Sequence, residues 1–236
     1  MHYGIIAAGE GTRLVQEGVP VPKPLVDLDG RPMIERLIDI FLSLDARSVS
    51  VIVNEQMTAV REFLEDLARR LPVPLEIVVR TTPSSMHSFY ELSRLMRGKG
   101  RFILTTVDTI FRRSDFAGYV HAFEDAPASI DGLMAMTTYI DDEKPLYIDV
   151  DKDMRITAFR DNPCGDDRYI SGGIYGLSEK GIDVLERCLK DGVSRMRNYQ
   201  RALIADGLNI HGYDMGKIID VDHAADIVTA QRFIQE

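Results

Sequence analysis

The amino-acid sequence predicts an α/β fold built on a mixed, mainly parallel sheet that is flanked by helices. In the first half of the chain, short β-prone runs alternate with longer runs whose apolar residues recur at helical spacing. In the second half, β-prone runs follow one another with only short turns between them. The chain has 236 residues, 45% of them hydrophobic, which is enough apolar material for a sizeable core.

The first half of the chain has the order that produces a parallel sheet. A helix at residues 31–44 is predicted because apolar residues such as Ile34 and Leu37 recur at helical spacing. Alternating strands and helices are typical of a parallel sheet covered on both faces. The predicted elements are strands at residues 3–8, 48–53, 75–79 and 102–107, and helices at residues 31–44, 57–71 and 85–96.

The second half changes character near residue 130. Its strands succeed one another without intervening helices, as in a mixed or antiparallel extension of the sheet. The predicted strands are residues 132–139, 146–150, 155–159 and 170–177, followed by helices at 179–189, 196–205 and 223–234. The sequence has no internal repeat, no low-complexity tract and no Pro/Gly/Ser linker. We therefore expect one domain over residues 1–236, with residues 131–236 as a subdomain.

The charge and cysteine content narrow the class of protein. A formal net charge of −9 opposes binding to nucleic acid or to an anionic membrane surface. No apolar run is long enough to span a membrane, and the N-terminus has no basic segment of the kind that precedes a secretory signal. The two cysteines, Cys164 and Cys188, have no zinc-site spacing. These features predict a reduced, cytoplasmic protein that uses no membrane or nucleic acid as a partner.

The most informative segment is the loop after the first predicted strand, residues 7–14 with the sequence AAGEGTRL, followed by PKPL at residues 22–25. Two glycines separated by one residue let the backbone turn sharply and bring its N–H groups close to a phosphate. Ligands bind at this edge of a parallel sheet. Arg13 and Lys23 add the positive charge that an acidic protein needs to hold a triphosphate.

Two other phosphate-binding motifs fit this loop less well. A dinucleotide-binding GxGxxG loop lacks its third glycine here, because Leu14 stands in that place. A P-loop is excluded because no GK[ST] follows. A plain GxG turn between strand and helix is the structural alternative, but it does not account for the Thr-Arg and Pro-Lys-Pro-Leu that accompany the glycines.

Three ordered motifs resemble the sugar nucleotidyltransferases, also called nucleoside-diphosphate-sugar pyrophosphorylases. They are AAGEGTRL at residues 7–14, PKPL at residues 22–25 after the gap that the family shows, and GRPMIE at residues 30–35. The resemblance implies the Rossmann-like, nucleotide-diphospho-sugar transferase fold. It further implies a nucleotide-binding half over residues 1–130 and an acceptor-binding subdomain with closing helices over residues 131–236.

The resemblance also implies roles around the nucleotide phosphates. Arg13 and Lys23 become the candidate catalytic residues, with Lys23 approaching the α-phosphate and stabilising the charge that builds there. A solvated loop lysine is the alternative for Lys23. The family pattern places further phosphate-binding residues at Ala8, Gly9, Gly11 and Thr12.

Three aspartates are candidate ligands of a catalytic Mg²⁺. Asp108 follows the strand predicted at 102–107, where the family has a metal-binding aspartate, although Val107 replaces the usual preceding glycine. Asp220 and Asp222 lie in the segment KIIDVDHAAD, which resembles the family's second metal-binding region. A hard divalent cation favours such oxygen ligands. A helix cap is the alternative for Asp108 and Asp222, and a plain turn residue is the alternative for Asp220.

A polar loop at residues 81–88, TTPSSMHS, occupies the place where the family reads the nucleobase. The candidate base-binding residues are Ser84, Ser85 and Ser88. Serines ahead of a helix also serve as caps, so a capping role is the alternative. A lone histidine such as His87 is more often structural.

The acceptor side departs from the family in two places. The usual Pro-Leu-Thr after Arg13 is replaced within residues 15–19, VQEGV, and the acceptor-phosphate motif Glu-Lys-Pro appears as DNP at residues 161–163. Because the motif lysine is missing, we expect Arg160 to supply positive charge for the acceptor. The segment SGGIY at residues 171–175 resembles the family's N-x-G-I-Y strand, so Gly172 and Gly173 are expected to accommodate the acceptor or to mark a β-bulge.

These roles imply a Mg²⁺-dependent reaction between a nucleoside triphosphate and a phosphorylated small molecule, a sugar-1-phosphate in the family. Pyrophosphate leaves, and no side-chain nucleophile is needed because the acceptor phosphate is already anionic. The altered acceptor motif leaves open a cytidylyltransferase for a non-sugar phosphate such as phosphocholine. A non-catalytic nucleotide-sugar sensor with the same fold is the alternative from another class. A homo-oligomer is compatible with all three, and the sequence identifies neither base nor acceptor.

Overall fold

A computed structural model describes residues 1–140, 144–165 and 168–235, and within them nine strands form one mixed sheet. The strands of the chain are β1 (His2–Ala7), β2 (Asp27–Leu28), β3 (Arg31–Pro32), β4 (Ser48–Val53), β5 (Leu75–Val79), β6 (Phe102–Thr106), β7 (Thr109–Ile110), β8 (Gly132–Thr137), β9 (Tyr147–Val150), β10 (Ile156–Arg160), β11 (Tyr169–Leu177), β12 (Ile210–Asp214) and β13 (Ile219–Asp220). The pairs β2–β3 and β7–β13 form two small separate sheets.

The helices cover both faces of the large sheet. They are α1 (Thr12–Gln16), α2 (Met33–Leu42), α3 (Thr58–Ala68), α4 (Ser85–Met96), α5 (Arg113–Asp125), α6 (Glu179–Lys190), α7 (Met196–Ala205) and α8 (Ala224–Gln235), with a short 3-10 helix at Lys23–Leu25. None of the helices in the part of the chain that is described combines the length and the apolar character needed to cross a membrane.

The first half of the chain forms the parallel part of the sheet, in the order β6-β1-β4-β5. Strand β1 pairs in parallel with β4 and β6, and β4 pairs in parallel with β5. All six residues of β4 are buried, as expected for a strand with helices on both faces. The predicted α/β class with a mainly parallel sheet is therefore confirmed, and the carboxyl ends of four strands meet at one edge.

The second half adds the antiparallel part through one long strand, β11. On one side β11 pairs antiparallel with β6 near its end and with β9 near its start, and on the other side it pairs with β8. Between Ser171 and Tyr175 its register with β8 shifts, so that extra residues of β11 are accommodated there. Strand β12 then pairs with β8 in parallel, so this half is mixed.

The core lies in two main layers, one on each face of the sheet. One layer packs apolar side chains of α2, α3 and α5 against β1 and β4, and includes Tyr3 and Phe41, whose rings stack with centroids 4.1 Å apart. The other layer packs α4, α6 and α7, and includes Phe89 and Tyr199 in an edge-on contact. These layers hold the strands, and with them the carboxyl edge, in a fixed position.

The prediction lacked α1, α5 and β12, together with the 3-10 helix and the two-residue strands β2, β3, β7 and β13. In α5 the residues Phe116, Tyr119, Val120 and Phe123 are buried at helical spacing, so the sequence did carry a signal for this helix. The signal for β12 is weak because Gly212 interrupts it and polar residues flank it. The other helix and strand predictions differ from the structure only by shifts at their ends.

Candidate active site

A cleft of about 590 Å³ opens at the carboxyl edge of the parallel strands. Four strands deliver residues to it: Asp108 follows β6, the glycine loop follows β1, Asn54 follows β4 and Thr81 follows β5. Among the predicted site residues, the cleft is lined by Ala8, Gly9, Gly11, Thr12, Arg13, Lys23, Ser84, Ser85, Ser88, Asp108 and Asp222. The structure thus brings the whole predicted nucleotide-binding set to one place, which we call the first cleft.

The two glycines of the loop meet different demands. Gly11 has φ +61° and stands at the start of α1, and a Cβ there would lie 3.0 Å from Cβ of Lys23. Its missing side chain therefore allows both the left-handed turn and the close approach of Lys23. A Cβ on Gly9 would meet no protein atom within 4 Å. Protein packing does not require a glycine at position 9, whereas a phosphate lying against the backbone would.

Lys23 is the charged centre of the first cleft. The residue is 9% exposed, and its Nζ lies 2.6 Å from Oδ2 of Asp108 and 2.7 Å from Oδ1 of Asp222. Burial alone lowers the pKa of this ammonium group, but attraction to Asp108 and Asp222 more than offsets burial, and the net pKa is raised. Lys23 is therefore a permanently charged group that joins carboxylates from two distant segments.

Asp222 is held by two cations at once. Besides Lys23, it accepts a hydrogen bond from Nη1 of Arg13 at 2.8 Å. Burial tends to raise its pKa, yet the contacts with Lys23 and Arg13 leave the pKa below its usual value. The start of α8 is satisfied instead by Asp226, whose Oδ2 accepts from the backbone N–H groups of Asp222 and His223 at 3.0 and 2.7 Å. The side chain of Asp222 thus points to the cations and not to the helix end.

The small sheet β7–β13 brings the third aspartate to the same place. Its pairing sets Asp220 opposite Thr109, 111 positions earlier, and the Thr109 hydroxyl donates to Oδ1 of Asp220 at 3.3 Å. The backbone N–H of Val221 donates to the carbonyl of Asp108 at 3.1 Å. Segments that are remote in sequence are therefore clamped together beside the sheet edge.

A second cleft of about 320 Å³ adjoins the first and shares Ser85, Thr106, Asp108 and Asp222 with it. Asp108, Asp220 and Asp222 all line this second cleft, and their oxygen atoms are the donors that Mg²⁺ prefers. Within the residues that the structure describes, no group of three or more His, Cys, Asp or Glu side chains could hold a metal alone. The donor set fits a Mg²⁺ that takes part of its ligands from substrate phosphates and water, as Mg²⁺ commonly does.

The two candidate acceptor glycines both lie where the register of β11 shifts, between Ser171 and Tyr175. Gly173 has φ +71° and lines the second cleft, and a Cβ there would lie 2.8 Å from Oγ1 of Thr109. Gly172 packs away from that cleft, where a Cβ would lie 2.4 Å from Cδ1 of Ile218. The bulge interpretation therefore describes both glycines, and only Gly173 also faces the second cleft.

Arg160, the predicted source of charge for the acceptor, does not line either cleft. Its Nε and Nη2 donate to the two carboxylate oxygens of Asp149 at 2.8 and 2.7 Å, and its Nη1 donates to the carbonyl of Asn162. Arg160 therefore braces β9 against β10. The structure thus places Arg160 against a carboxylate and outside both clefts, and its role towards the acceptor stays a prediction.

The positive charge in the second cleft comes from residues that the sequence did not identify, namely Lys144, Arg195 and Arg197. Arg195 precedes α7 at φ +73°, and its backbone N–H donates to Oγ of Ser84 at 3.4 Å. Arg197 contacts the carboxylate of Asp161 at 2.5 Å. Two arginines at the start of a predicted helix were visible in the sequence, but nothing there indicated which sheet edge they approach.

The three candidate serines occupy the first turn of α4 beside the first cleft. Ser84 makes no capping hydrogen bond with its side chain, and its Oγ lies 2.8 Å from Nδ1 of His87. The Ser88 hydroxyl is buried and lies 2.6 Å from that of Thr82. Ser85 lines both clefts. The simple capping alternative is therefore not what the structure has at Ser84.

A glycine loop, a buried lysine and three aspartates meet at the carboxyl edge of a parallel sheet, an arrangement that is chemically suited to binding phosphate groups. The chain belongs to the nucleotidyl transferase family, whose sequence model matches residues 4–235. It is 26% identical over 241 residues to mannose-1-phosphate guanylyltransferase 1 of Arabidopsis thaliana, covering 97% of this chain and 63% of that protein. It is 23% identical over 245 residues to the bifunctional protein GlmU of Methanococcus maripaludis strain C7, covering 98% of this chain and 54% of that protein.

The chain thus spans about half to two thirds of the length of these curated relatives. Among solved structures, it is similar to the inositol-1-phosphate CTP transferase from T. maritima, with a TM-score of 0.81 and 18% sequence identity. That similarity covers 100% of this chain and 96% of the other. It shows that the two proteins share a fold.

Proposed function

We propose that this chain catalyses transfer of a nucleotidyl group from a nucleoside triphosphate to a phosphorylated small molecule, a sugar-1-phosphate. The observation that carries the proposal is the junction of the two clefts. They share Asp108 and Asp222, and Lys23 bridges these two carboxylates. A nucleotide in the first cleft and an acceptor in the second would meet at this junction.

The nucleotide side supplies positive charge where the reaction needs it. Backbone N–H groups from Gly9 to Thr12 bind the phosphates, and Arg13 and Lys23 neutralise the charge that grows around the α-phosphorus. Asp108, Asp220 and Asp222 would hold a Mg²⁺, which when bound neutralises phosphate oxygens. Lys23 must then exchange its carboxylate partners at least in part for phosphate oxygens.

The acceptor side positions the attacking phosphate. An oxygen of the acceptor phosphate forms a bond to the α-phosphorus while the bond to the bridging oxygen of pyrophosphate breaks, and pyrophosphate leaves with the electron pair. Lys144, Arg195 and Arg197 supply the charge that orients the acceptor, in place of the lysine that the family motif has and this chain lacks. Ser171 and Gln200 line the same cleft and offer hydrogen bonds to acceptor hydroxyls.

The acceptor region also supports a second candidate, a cytidylyltransferase for a non-sugar phosphate such as phosphocholine. Asn162 stands where the family motif has its lysine, and the cations of the second cleft come from other segments. A non-catalytic nucleotide-sugar sensor is less compatible, because a sensor has no need to retain Lys23, Asp108 and Asp220 together. We further infer that the protein works in the cytoplasm, because its charged nucleotide substrates do not cross membranes freely. That the protein forms a homo-oligomer stays a prediction.

A substrate screen tests the proposal. Each of the four common ribonucleoside triphosphates is combined with mannose-1-phosphate, glucose-1-phosphate, inositol-1-phosphate or phosphocholine in the presence of Mg²⁺, and pyrophosphate release is followed. We expect release with one preferred pair and its loss with EDTA. Release with CTP and phosphocholine alone would favour the second candidate. Nucleotide binding without pyrophosphate from any pair, unaltered in Asp108→Ala, would favour the sensor.

A further inference from the structure

We propose that Asn54 is a specificity-determining residue whose side-chain amide donates a hydrogen bond to an acceptor atom of the nucleobase, either a ring nitrogen or a carbonyl oxygen. The inference rests on the proposed function, because only a bound nucleotide brings a base into the first cleft. Asn54 lines that cleft and is 4% exposed.

The order of strands along the sheet edge places Asn54 on the nucleoside side of the cleft. Asp108 follows β6, the glycine loop follows β1, and Asn54 follows β4, in the sheet order β6-β1-β4. Neighbouring strands lie about 4.8 Å apart, so β4 is roughly 10 Å from the strand that leads to Asp108. With the phosphates at the glycine loop and the reacting centre at Asp108, the nucleoside extends towards β4 and β5.

The orientation of the Asn54 amide is fixed by two donors. Its Oδ1 accepts from the backbone N–H of Gln56 at 3.0 Å and from the hydroxyl of Thr81 at 3.1 Å. A backbone N–H can only donate, so the atom facing Gln56 must be the oxygen and not the nitrogen of the amide. The NH₂ group is therefore directed away from both partners, and the protein leaves it no alternative orientation.

The Asn54 NH₂ group is the part of the amide left to bind a ligand. Among the residues that the structure describes, this nitrogen donates no hydrogen bond to a protein acceptor, and the hydrogen bonds of the Asn54 side chain are those that its Oδ1 accepts. This nitrogen is not one of the fully buried, unpartnered polar atoms among the described residues, so it opens to the first cleft, where a ligand acceptor can take the place of water. Nearby hydroxyls are partly committed elsewhere, since those of Thr82 and Ser88 bond to each other. A donor held in one orientation can bond to a carbonyl oxygen or an unprotonated ring nitrogen of the base, but it cannot bond to an exocyclic amine. It therefore discriminates between bases.

The substitution Asn54→Asp tests the NH₂ group of Asn54 separately from the rest of the side chain. Aspartate keeps an oxygen facing Gln56 and Thr81, and it replaces NH₂ by an oxygen of similar size that cannot donate. Binding of the four nucleoside triphosphates, of ribose 5-triphosphate and of inorganic tripolyphosphate is measured calorimetrically with Mg²⁺. Tripolyphosphate reports the repulsion from the added charge, and ribose 5-triphosphate separates sugar from base. Asn198→Asp adds the same charge outside both clefts as a control.

We expect Asn54→Asp to weaken the preferred triphosphate about 10- to 100-fold beyond its effect on tripolyphosphate and ribose 5-triphosphate, and to change the ranking of the bases. Equal losses for every ligand, or an unchanged ranking, would overturn the inference. A loss equally large for ribose 5-triphosphate would also overturn it, because Asn54 would then bind the sugar.

A second measurement decides the matter if Asn54→Asp does not fold. Wild-type protein is tested with analogues of its preferred triphosphate in which one base nitrogen or carbonyl is replaced by C–H. One analogue is expected to bind about tenfold more weakly to wild type, and this penalty should vanish in Asn54→Ala; if no analogue behaves so, the inference is wrong. Wild-type protein that binds no triphosphate would overturn the proposed function as well, whereas binding with intact pyrophosphate release but no role of Asn54 overturns the inference alone.

Discussion

The parallel and antiparallel regions of the sheet hold their polar groups in different ways. At the edge of β1 and β6, Lys23 and Arg13 are paired with Asp108 and Asp222, so the charges neutralise one another before any ligand binds. Beside β11, the cations of the second cleft approach from helix α7 and from the segment before β9. The polar groups of the first region are therefore organised by their own ion pairs, whereas the cations of the second come from segments outside the parallel strands.

The largest effect is expected for Lys23→Ala, which removes the cation that joins the two regions. Loss of one preorganised group at a reacting phosphate typically lowers kcat about 10²- to 10³-fold. The measurement is the rate of pyrophosphate release at saturating substrates. Lys152→Ala, an exposed lysine in the turn between β9 and β10, is the matched control. A Lys23 variant within threefold of wild type would show that the ion pairs are structural and do not serve the reaction.

Gly173→Ala is expected to have the next largest effect, on the antiparallel side. Its matched control is Gly192→Ala, because both glycines have φ +71° but a Cβ at Gly192 would meet no atom within 4 Å. Left-handed backbone at alanine costs about 1 to 2 kcal/mol in either variant. At Gly173 the contact with Oγ1 of Thr109 adds about 1 to 3 kcal/mol of overpacking.

Urea unfolding measures both costs. Because Thr109 holds Asp220, Gly173→Ala should also lower activity, while Gly192→Ala should not. Equal losses of stability in the two variants, with full activity in both, would mean that β11 yields to the new methyl group and that the bulge does not set the position of Asp220.

The third prediction separates two arginines of the acceptor side. Arg195→Ala should raise KM for the acceptor about 10- to 100-fold, the effect expected for losing a charge-assisted hydrogen bond, with little change in KM for the nucleotide. Arg160→Ala should leave both KM values near those of wild type and lower stability instead, because it loses its bidentate contact with Asp149. The reverse pattern would restore Arg160 as the acceptor-binding arginine.

The difference between the parallel and antiparallel regions also explains which site residues the sequence could predict. The residues predicted to bind the phosphates lie within one continuous segment, residues 8–23, and this segment carries two of the motifs on which the resemblance to the family rests. Asp220 could also be predicted, because it lies in a separate segment that resembles the family's second metal-binding region. Lys144, Arg195 and Asn54 belong to no such motif, and their place depends on which strands are neighbours in the sheet.

The position of Arg160 could not be predicted for the same reason. Proximity in sequence to the altered motif at residues 161–163 suggested that this arginine replaces the missing lysine. Pairing of β9 with β10 instead brings Asp149 beside it, and that contact was invisible without the register. The sequence therefore predicted the strands of both regions, but it did not predict which side chains the long-range pairings of the antiparallel region bring together.

Glu17 lies in the segment VQEGV, residues 15–19, which departs from the family pattern. Its contacts near the first cleft could not be predicted from the motif. Glu17 accepts from the backbone N–H of Ala224 at 2.6 Å, and its other carboxylate oxygen lies 2.6 Å from Nδ1 of His223. These contacts join the end of α1 to the start of α8, next to Asp222. The backbone hydrogen bond from Ala224, followed by the contact with His223, lowers the pKa of Glu17.

The smallest effect is therefore expected for Glu17→Gln, and it should depend on pH. Because the pKa is lower in the folded protein than the value of 4.5 typical of the unfolded chain, the ionised group stabilises the fold above about pH 4.5 and ceases to do so as pH falls through the folded pKa. Melting temperatures of wild type and Glu17→Gln should differ slightly at pH 7 and converge towards pH 4, with the exposed Glu62→Gln as control. A difference that grows as pH falls would contradict this, since it would require that the neutral carboxyl group, and not the carboxylate, tie α1 to α8.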